Sequence, residues 1–251
     1  MKKRLEAIKS ILLKEQKIYV DTLSTRLFVS KVTIRKDLSH LEKAGFLFRR
    51  YGGAILAENS QEVISHLQKR TINYDAKEQI AECAIRHIKD SSNIFLDAGS
   101  TPLLLARKLS GYEDLLVVTN SLPIANILTS QEGVAVELTG GSLRKTSGAL
   151  IGPATNKMLN ERIRVDKVFL GFSGFDIYRG FSSENAIEAE TKHAALACSR
   201  EVILLGDHTK FKRPAFANFA SFEDIDRLIT DRKPEKEIQI KLEEFAIMIN
   251  C

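Results

Sequence analysis

The residues best equipped for chemistry fall at five places that share one pattern. Each follows a short apolar run and is rich in small, hydroxyl, amide or charged groups. They are Asp97-Ala98-Gly99-Ser100-Thr101-Pro102, Thr119-Asn120-Ser121, Thr139-Gly140-Gly141-Ser142 with Arg144 just beyond, Gly171-Phe172-Ser173-Gly174, and Gly206-Asp207-His208-Thr209-Lys210. Glycine lets the backbone approach a ligand, proline suits the first helical position, and amides at a helix start attract phosphate. Loop amides together with Ser100, Thr101, Arg144 and Lys210 can hold a phosphate. Asp97, Asn120, Glu184 and Asp207 can accept hydrogen bonds from hydroxyls. Gly99, Ser121, Gly140, Gly141, Ser173 and Gly174 complete the candidate ligand-binding set. The chemistry this predicts is recognition of a small, phosphorylated, hydroxyl-rich molecule. One glycine–serine loop usually just turns the chain; five along one sheet edge are harder to explain that way. Two members stay open. Glu184 with Asn185 either lines the site or only opens the next helix. His208 beside Asp207 is either half of an acid/base pair or a solvated loop residue. His40, His66, His87 and His193 stand singly without ligand spacing, so no metal is expected, and no cofactor beyond the small molecule.

A second stretch has different chemistry. Ser30-Lys31-Val32-Thr33-Ile34-Arg35-Lys36-Asp37-Leu38 reads as a helix start with its own cap, since the Ser30 hydroxyl can accept from the first-turn amides. Ile34, Leu38 and Leu41 recur at helical spacing and bury one face, leaving Lys31, Arg35 and Lys36 outside. Lys31, Thr33 and Arg35 are placed to reach base edges, and Lys36 to hold phosphate. Val32 either touches a thymine methyl or packs on the preceding helix. Asp37 opposes DNA by charge and is expected to pair with an arginine inside the domain.

The elements that must position these groups form two sets. In residues 1–57 a helix over 3–15 (Leu5, Ile8, Leu12), a short β-prone run Lys17–Val20, a helix capped by Asp21 and running to Leu27, and a tight turn at Phe28-Val29 lead into the capped helix, which Gly45 ends as a C′ glycine. Two helices joined by about three residues make a helix-turn-helix. Phe46–Arg50 and Ala54–Leu56 around Tyr51-Gly52-Gly53 then form a wing, with Arg49 and Arg50 near its tip to meet phosphate or a minor groove. Residues 58–73 read as linker. Residues 74–251 open with a helix over 74–89, after which strands Asn93–Asp97, Leu115–Thr119, Val134–Leu138, Lys167–Leu170 and Val202–Leu205 alternate with helices Pro102–Leu109, Leu122–Thr129, Ala149–Asn160 and Ala186–Ser199. Arg227–Thr230 and Ala246–Ile249 are weaker strand candidates. Such alternation predicts an α/β domain with a mostly parallel sheet covered on both faces, whose ligands bind beyond the carboxyl ends of the strands.

Charge supports the division. Residues 1–57 hold 13 Lys or Arg against 5 Asp or Glu, while the remainder holds 24 against 27. A positive module of net +8 on a body of net −3 points to nucleic-acid binding by the first quarter of the chain. No run of about 18 apolar residues exists and no signal-peptide core follows Met1-Lys2-Lys3-Arg4, so no membrane association is expected. Cys83, Cys198 and Cys251 are odd in number and widely spaced, which fits a reducing cytoplasm.

Arg4, Ile8 and Leu12, the long gap, Ser30–Leu38, and the wing Arg50-Tyr51-Gly52-Gly53-Ala54 together resemble the N-terminal signature of DeoR-type bacterial transcription regulators. The later motifs are similar to that family's effector domain, in order: Phe95–Thr101, Val118–Leu122, Gly140–Arg144, Asp166–Gly171 and Asp207–Phe211. The resemblance covers almost the whole chain. It implies a winged helix-turn-helix followed by a domain resembling sugar-phosphate isomerases such as ribose-5-phosphate isomerase, one that binds a sugar phosphate and has lost turnover. It departs at His208-Thr209, where two small residues are usual. The function expected is sequence-specific binding of double-stranded operator DNA, repression of a sugar-metabolism operon, control by a sugar phosphate, and assembly as a homodimer or homotetramer in the bacterial cytoplasm, nucleoid-associated when bound to DNA. An enzyme using Asp97, Glu184 or Asp207 as general base is the competing reading, and an isomerase has no use for a +8 module. An RNA-binding role is disfavoured by the lack of aromatic stacking residues on the basic face.

Overall fold

The computed structural model describes residues 2–15, 17–43, 46–50, 52–56, 69 and 71–250. The chain divides into two compact units, Met1–Gln68 and Lys69–Cys251.

In the first unit, α1 (Lys2–Glu15), β1 (Lys17–Tyr19), α2 (Val20–Leu27), α3 (Lys31–Lys43), β2 (Leu47–Arg50) and β3 (Gly53–Leu56) follow in order. The strands form an antiparallel sheet in the order β1-β3-β2. Ile8, Leu12, Leu23, Ile34, Leu38 and Leu41 meet Ile18, Phe46 and Leu47 in a single core. The expected α2 cap is corrected. The helix begins two residues earlier than a cap at Asp21 requires, at Val20, whose N–H donates to Gly52 O at 2.9 Å as it leaves the sheet. Asp21 therefore lies in the first turn and caps nothing; it pairs with Lys31 Nζ at 2.9 Å. Gly45, Tyr51, Ala57 and most of the expected linker (58–68 and 70) lie outside the described residues.

The second unit opens with α4 (Tyr74–Ala84) and a 3₁₀ turn (Ile85–His87). The sheet strands are β4 (Asn93–Leu96), β5 (Leu115–Thr119), β6 (Val134–Leu138), β9 (Val165–Gly171), β12 (Ser199–Leu205), β14 (Arg227–Ile229) and β15 (Met248–Asn250). All pair in parallel, in the order β15-β14-β12-β9-β4-β5-β6. Alternate residues of each strand face opposite ways. Ile94, Leu96, Val117, Ile203 and Leu205 pack beneath α4, α5 (Ser100–Ala106) and α6 (Leu122–Leu128). Phe95, Val118, Val168, Leu170 and Leu204 face α7 (Pro153–Glu161), α8 (Ala186–Leu196) and α9 (Lys236–Glu244). On that side Phe172, Phe175, Phe181 and Phe222 stack edge-to-face.

One expected helix is partly a strand. Ala149–Ile151 is β8, hairpinned with β7 (Ser142–Arg144), and the helix starts only at Pro153. Gly152 at φ 96° turns the chain, and Pro153 supplies the first helical residue. A second small sheet, β10 (Gly174–Asp176), β11 (Gly180–Ser183) and β13 (Ala217–Ala220), also went unread in the sequence.

Candidate functional site

The first unit presents a reading face. Ser30 Oγ accepts from Thr33 N–H at 3.2 Å, closing the start of α3, and sits 2.9 Å from Thr33 Oγ1. Burying Ile34, Leu38 and Leu41 turns Lys31, Arg35 and Lys36 to solvent. Val32 is 60% exposed, so packing on the preceding helix is not its role. Asp37 is buried and takes both branches of the Arg4 guanidinium, at 2.5 and 3.1 Å, which ties α1 to the back of α3. That pairing holds the Arg4 pKa above its ordinary value. The turn before α3 is held by Val29 N–H to Ser24 O (3.2 Å) and Ser24 Oγ to Val29 O (2.6 Å). Phe28 occupies the left-handed region there, at φ 53°, with its ring 93% exposed. On the wing Arg49 is exposed and its N–H donates to Glu42 at 2.9 Å. The side chain of Arg50 lies outside the described set.

The second unit assembles its polar groups along one edge because all seven strands run the same way. Beyond β4, buried Asp97 accepts from Gly171 N–H at 3.2 Å and from the Lys192 ammonium, which also donates to Gly171 O at 2.9 Å. Asn120, beyond β5, bridges neighbours: its Oδ1 accepts from Ala98 N–H at 2.9 Å and its Nδ2 donates to Leu150 O at 3.4 Å. Ser121 caps α6 through Ile124 N–H at 3.3 Å. Gly140 and Gly141, beyond β6, both have positive φ, and a methyl at Gly141 would lie 2.0 Å from Thr155 Oγ1. Arg144 in the β7–β8 hairpin meets Glu188 at 2.6 Å. Ser173 N–H pairs with Ser182 O at 2.9 Å, while Gly174 is pressed against the backbone at Arg213 and Ala215, so these two act in strand packing. Gly99, Ser100 and Thr101 form the start of α5, with Thr101 buried.

Asp207 lies beyond β12 and is buried. It accepts from Thr209 N–H at 3.0 Å, from Thr209 Oγ1, and from Asn73 Nδ2 at 3.2 Å. Burial alone would raise its pKa. The Thr209 hydrogen bonds and the charges of Lys210 and Lys77 outweigh that and hold it below the ordinary carboxylate value. It therefore stays anionic at neutral pH and is a weak base. His208 turns away from Asp207: its Nδ1 lies 2.7 Å from Asp231 Oδ2 and its N–H donates to Asp231 Oδ1 at 2.8 Å. The Asp207–His208 acid/base pair considered from the sequence does not form. Glu184 is exposed and pairs with Lys69 at 2.6 Å.

Lys192, Glu188, Asn73, Lys77 and Asp231 were not picked out in the sequence. Glu188 and Lys192 did carry a signal, standing four apart on one face of a helix that must cross the sheet edge. A groove of about 760 Å³ also opens elsewhere, among Asn156, Glu190, His193, Ala194 and Asn218, and contains none of the candidate ligand-binding residues.

Residues 4–60 match the DeoR-like helix-turn-helix domain and residues 72–232 the DeoR C terminal sensor domain. Three relatives are similar along most of their lengths. The transcriptional regulator GlpR of Haloferax volcanii is 35% identical over 92% of this chain and 89% of its own. The glycerol-3-phosphate regulon repressor of Escherichia coli is 35% identical over 94% and 93%. The regulator GolR of Listeria innocua is 36% identical over 93% and 91%. The chain belongs to the DeoR family of transcriptional regulators. Its first unit is thus a DNA-binding domain and its second a sensor domain for a small-molecule effector. Among solved structures, ribose 5-phosphate isomerase A of Methanocaldococcus jannaschii is similar over 55% of each chain at 17% identity, with a TM-score of 0.40, too slight a likeness to bear on activity. In this DeoR-family chain the carboxylates considered as bases are already engaged, Asp97 by Lys192 and Asp207 by Thr209 and Asn73. Among the described residues no helix is long and apolar enough to cross a membrane.

Proposed function

We propose that this regulator represses genes for the use of a sugar or related polyol, and that the phosphorylated form of that compound, bound at the carboxyl edge of the sensor sheet, controls it. The observation that carries this reading is the all-parallel strand order, which brings Asp97, Asn120, Gly140, Asp207 and their neighbours to one edge. Ser100, Thr101, Arg144 and Lys210 suit the phosphate; Asp97, Asn120, Glu184 and Asp207 suit the hydroxyls. The printed names of relatives, three of them glycerol-3-phosphate regulon repressors, favour the same class of effector. No further cofactor is called for.

On DNA, Lys31, Thr33 and Arg35 read base edges. Lys36, Arg49 and Arg50 hold phosphates, and the capped start of α3 at Ser30 faces one more. One reading helix per chain matches one half-site, so a symmetric dimer or tetramer occupies a repeated operator in the cytoplasm.

The test is a thermal-shift panel of sugar and polyol phosphates, followed by fluorescence anisotropy on the DNA upstream of the chain's own and neighbouring genes. One phosphorylated compound should raise the melting temperature and shift operator affinity, while its unphosphorylated parent does neither. Turnover of such a compound that is lost in Asp207→Ala would refute the proposal, as would a full panel without binding.

A further inference from the structure

The sensor domain begins at a cluster of contacts that neither reading above uses. Lys69 is the first residue of the second unit, directly after the DNA-binding unit ends at Gln68. Its ammonium meets Glu184 at 2.6 Å. Asn73 donates to Asp207 at 3.2 Å and to Thr209 Oγ1 at 3.4 Å, from a left-handed backbone at φ 54° that asparagine adopts more readily than most residues. Lys77, one turn into α4, sends a buried ammonium back to the carbonyls of Lys69 and of Ile72, the latter at 2.6 Å. The chain arriving from the DNA-binding unit is therefore held by side chains, and two of its holds end on Asp207 and Glu184. Both carboxylates, Asp207 buried and Glu184 exposed, belong to the effector site proposed above.

We propose that Lys69, Asn73 and Lys77 form a latch that links effector occupancy to DNA binding. This rests on the effector reading above. A hydroxyl-bearing ligand that donates to Asp207 and Glu184 competes with Asn73 Nδ2 and Lys69 Nζ for the same oxygens. Binding frees the segment 69–77, the stretch of the sensor domain that directly follows the DNA-binding unit in sequence. The ligand acts by differential contact with two states, latched and released, which is what coupling between sites requires. The polarity is release: effector loosens the latch and weakens operator binding.

The latch is tested first without any ligand. In the full chain, Lys69→Met with Asn73→Ala should speed amide exchange at residues 71–77 by about tenfold or more and weaken operator binding about tenfold, because an opening that was rare becomes frequent. The single change Lys69→Arg keeps the ion pair and should match the wild type in both, which separates latch loss from misfolding. Unchanged exchange, or faster exchange with unchanged operator affinity, overturns the proposal. The second arm adds glycerol 3-phosphate, ribose 5-phosphate and glucose 6-phosphate in turn. A compound that raises the melting temperature should also speed exchange at 71–77 in the wild type. A melting shift with unaltered exchange overturns the latch and leaves the effector reading standing. If nothing in the wider panel binds, the effector reading fails and the ligand-free double variant still decides the latch.

Discussion

Lys77 gives the most exposed quantitative test of the sensor domain's internal physics. Its side chain is buried at the first turn of α4, with Asp207, Lys210 and Lys69 as its charged neighbours. Burial pushes its pKa down from 10.5 to about 8; Asp207 opposes this and the two lysines reinforce it. The folded pKa is thus below the unfolded one. Below about pH 8 both states are protonated and the folded chain carries the whole penalty of the buried charge. Between about 8 and 10.5 the folded state loses its proton first, so stability rises with pH, and above that window it levels off. Taken in full, the shift from 10.5 to about 8 corresponds to about 3.4 kcal/mol at about 1.36 kcal/mol per pH unit; solvent screening near the domain surface reduces the expected gain to about 2 kcal/mol. Lys77→Met removes the titrating group and keeps the length of the side chain. Pulse proteolysis in urea, which separates the two units by fragment size, should be run on both proteins from about pH 7 to about pH 11. The stability difference, wild type minus Lys77→Met, should climb by about 2 kcal/mol across that window. A difference flat within about 0.5 kcal/mol would mean that Lys77 is solvated or remains charged, and the reasoning about its burial would be wrong.

Other expectations follow from single contacts. Ser30→Ala should lower the stability of the DNA-binding unit by about 1 kcal/mol, measured by the same proteolysis, because Thr33 N–H loses its acceptor. Arg35→Ala should reduce operator affinity by about 1–3 kcal/mol and relax preference at one base position, whereas Lys36→Ala should weaken all DNA alike and lower the salt slope by about one; anisotropy titrations at several salt concentrations distinguish them. Asp97→Ala leaves the Lys192 ammonium buried without its carboxylate and should destabilise the sensor domain by about 3–5 kcal/mol in urea unfolding, with most of the loss recovered by adding Lys192→Met. Phe28→Gly should stabilise the DNA-binding unit by about 1 kcal/mol, since glycine adopts φ 53° without strain and the ring it removes is 93% exposed.

Much of this molecule is written in local pattern. Ile34, Leu38 and Leu41 at helical spacing behind Ser30 specify the reading helix and its outward face, since a helix buries whatever recurs with its own period. Asp37 sits among cations on a helix whose other face is buried, and that position alone argued for an internal arginine; Arg4 supplies it. Five apolar runs, each followed by small and polar residues, specify the parallel sheet and its functional edge. Local pattern failed where partners distant in sequence compete. Asp21 would cap α2, but the pairing of β1 with the wing, and Val20 N–H with Gly52, start the helix two residues early. Ala149–Ile151 has helical composition and becomes a strand because β7 offers it a hydrogen-bonding edge.

The two modules, the reading helix and the loops at the sheet edge are legible along the chain, because periodicity and capping act over a few residues. Who holds whom at that edge is settled by packing. Lys192 reaches Asp97 from 95 residues away. Glu188 turns Arg144 inward, His208 swings to Asp231, and Asn73 reaches Asp207 across 134 residues. A charge buried in a folded protein must find a partner, but which one it finds depends on the packing of whole helices against the sheet, and no spacing along the chain records that.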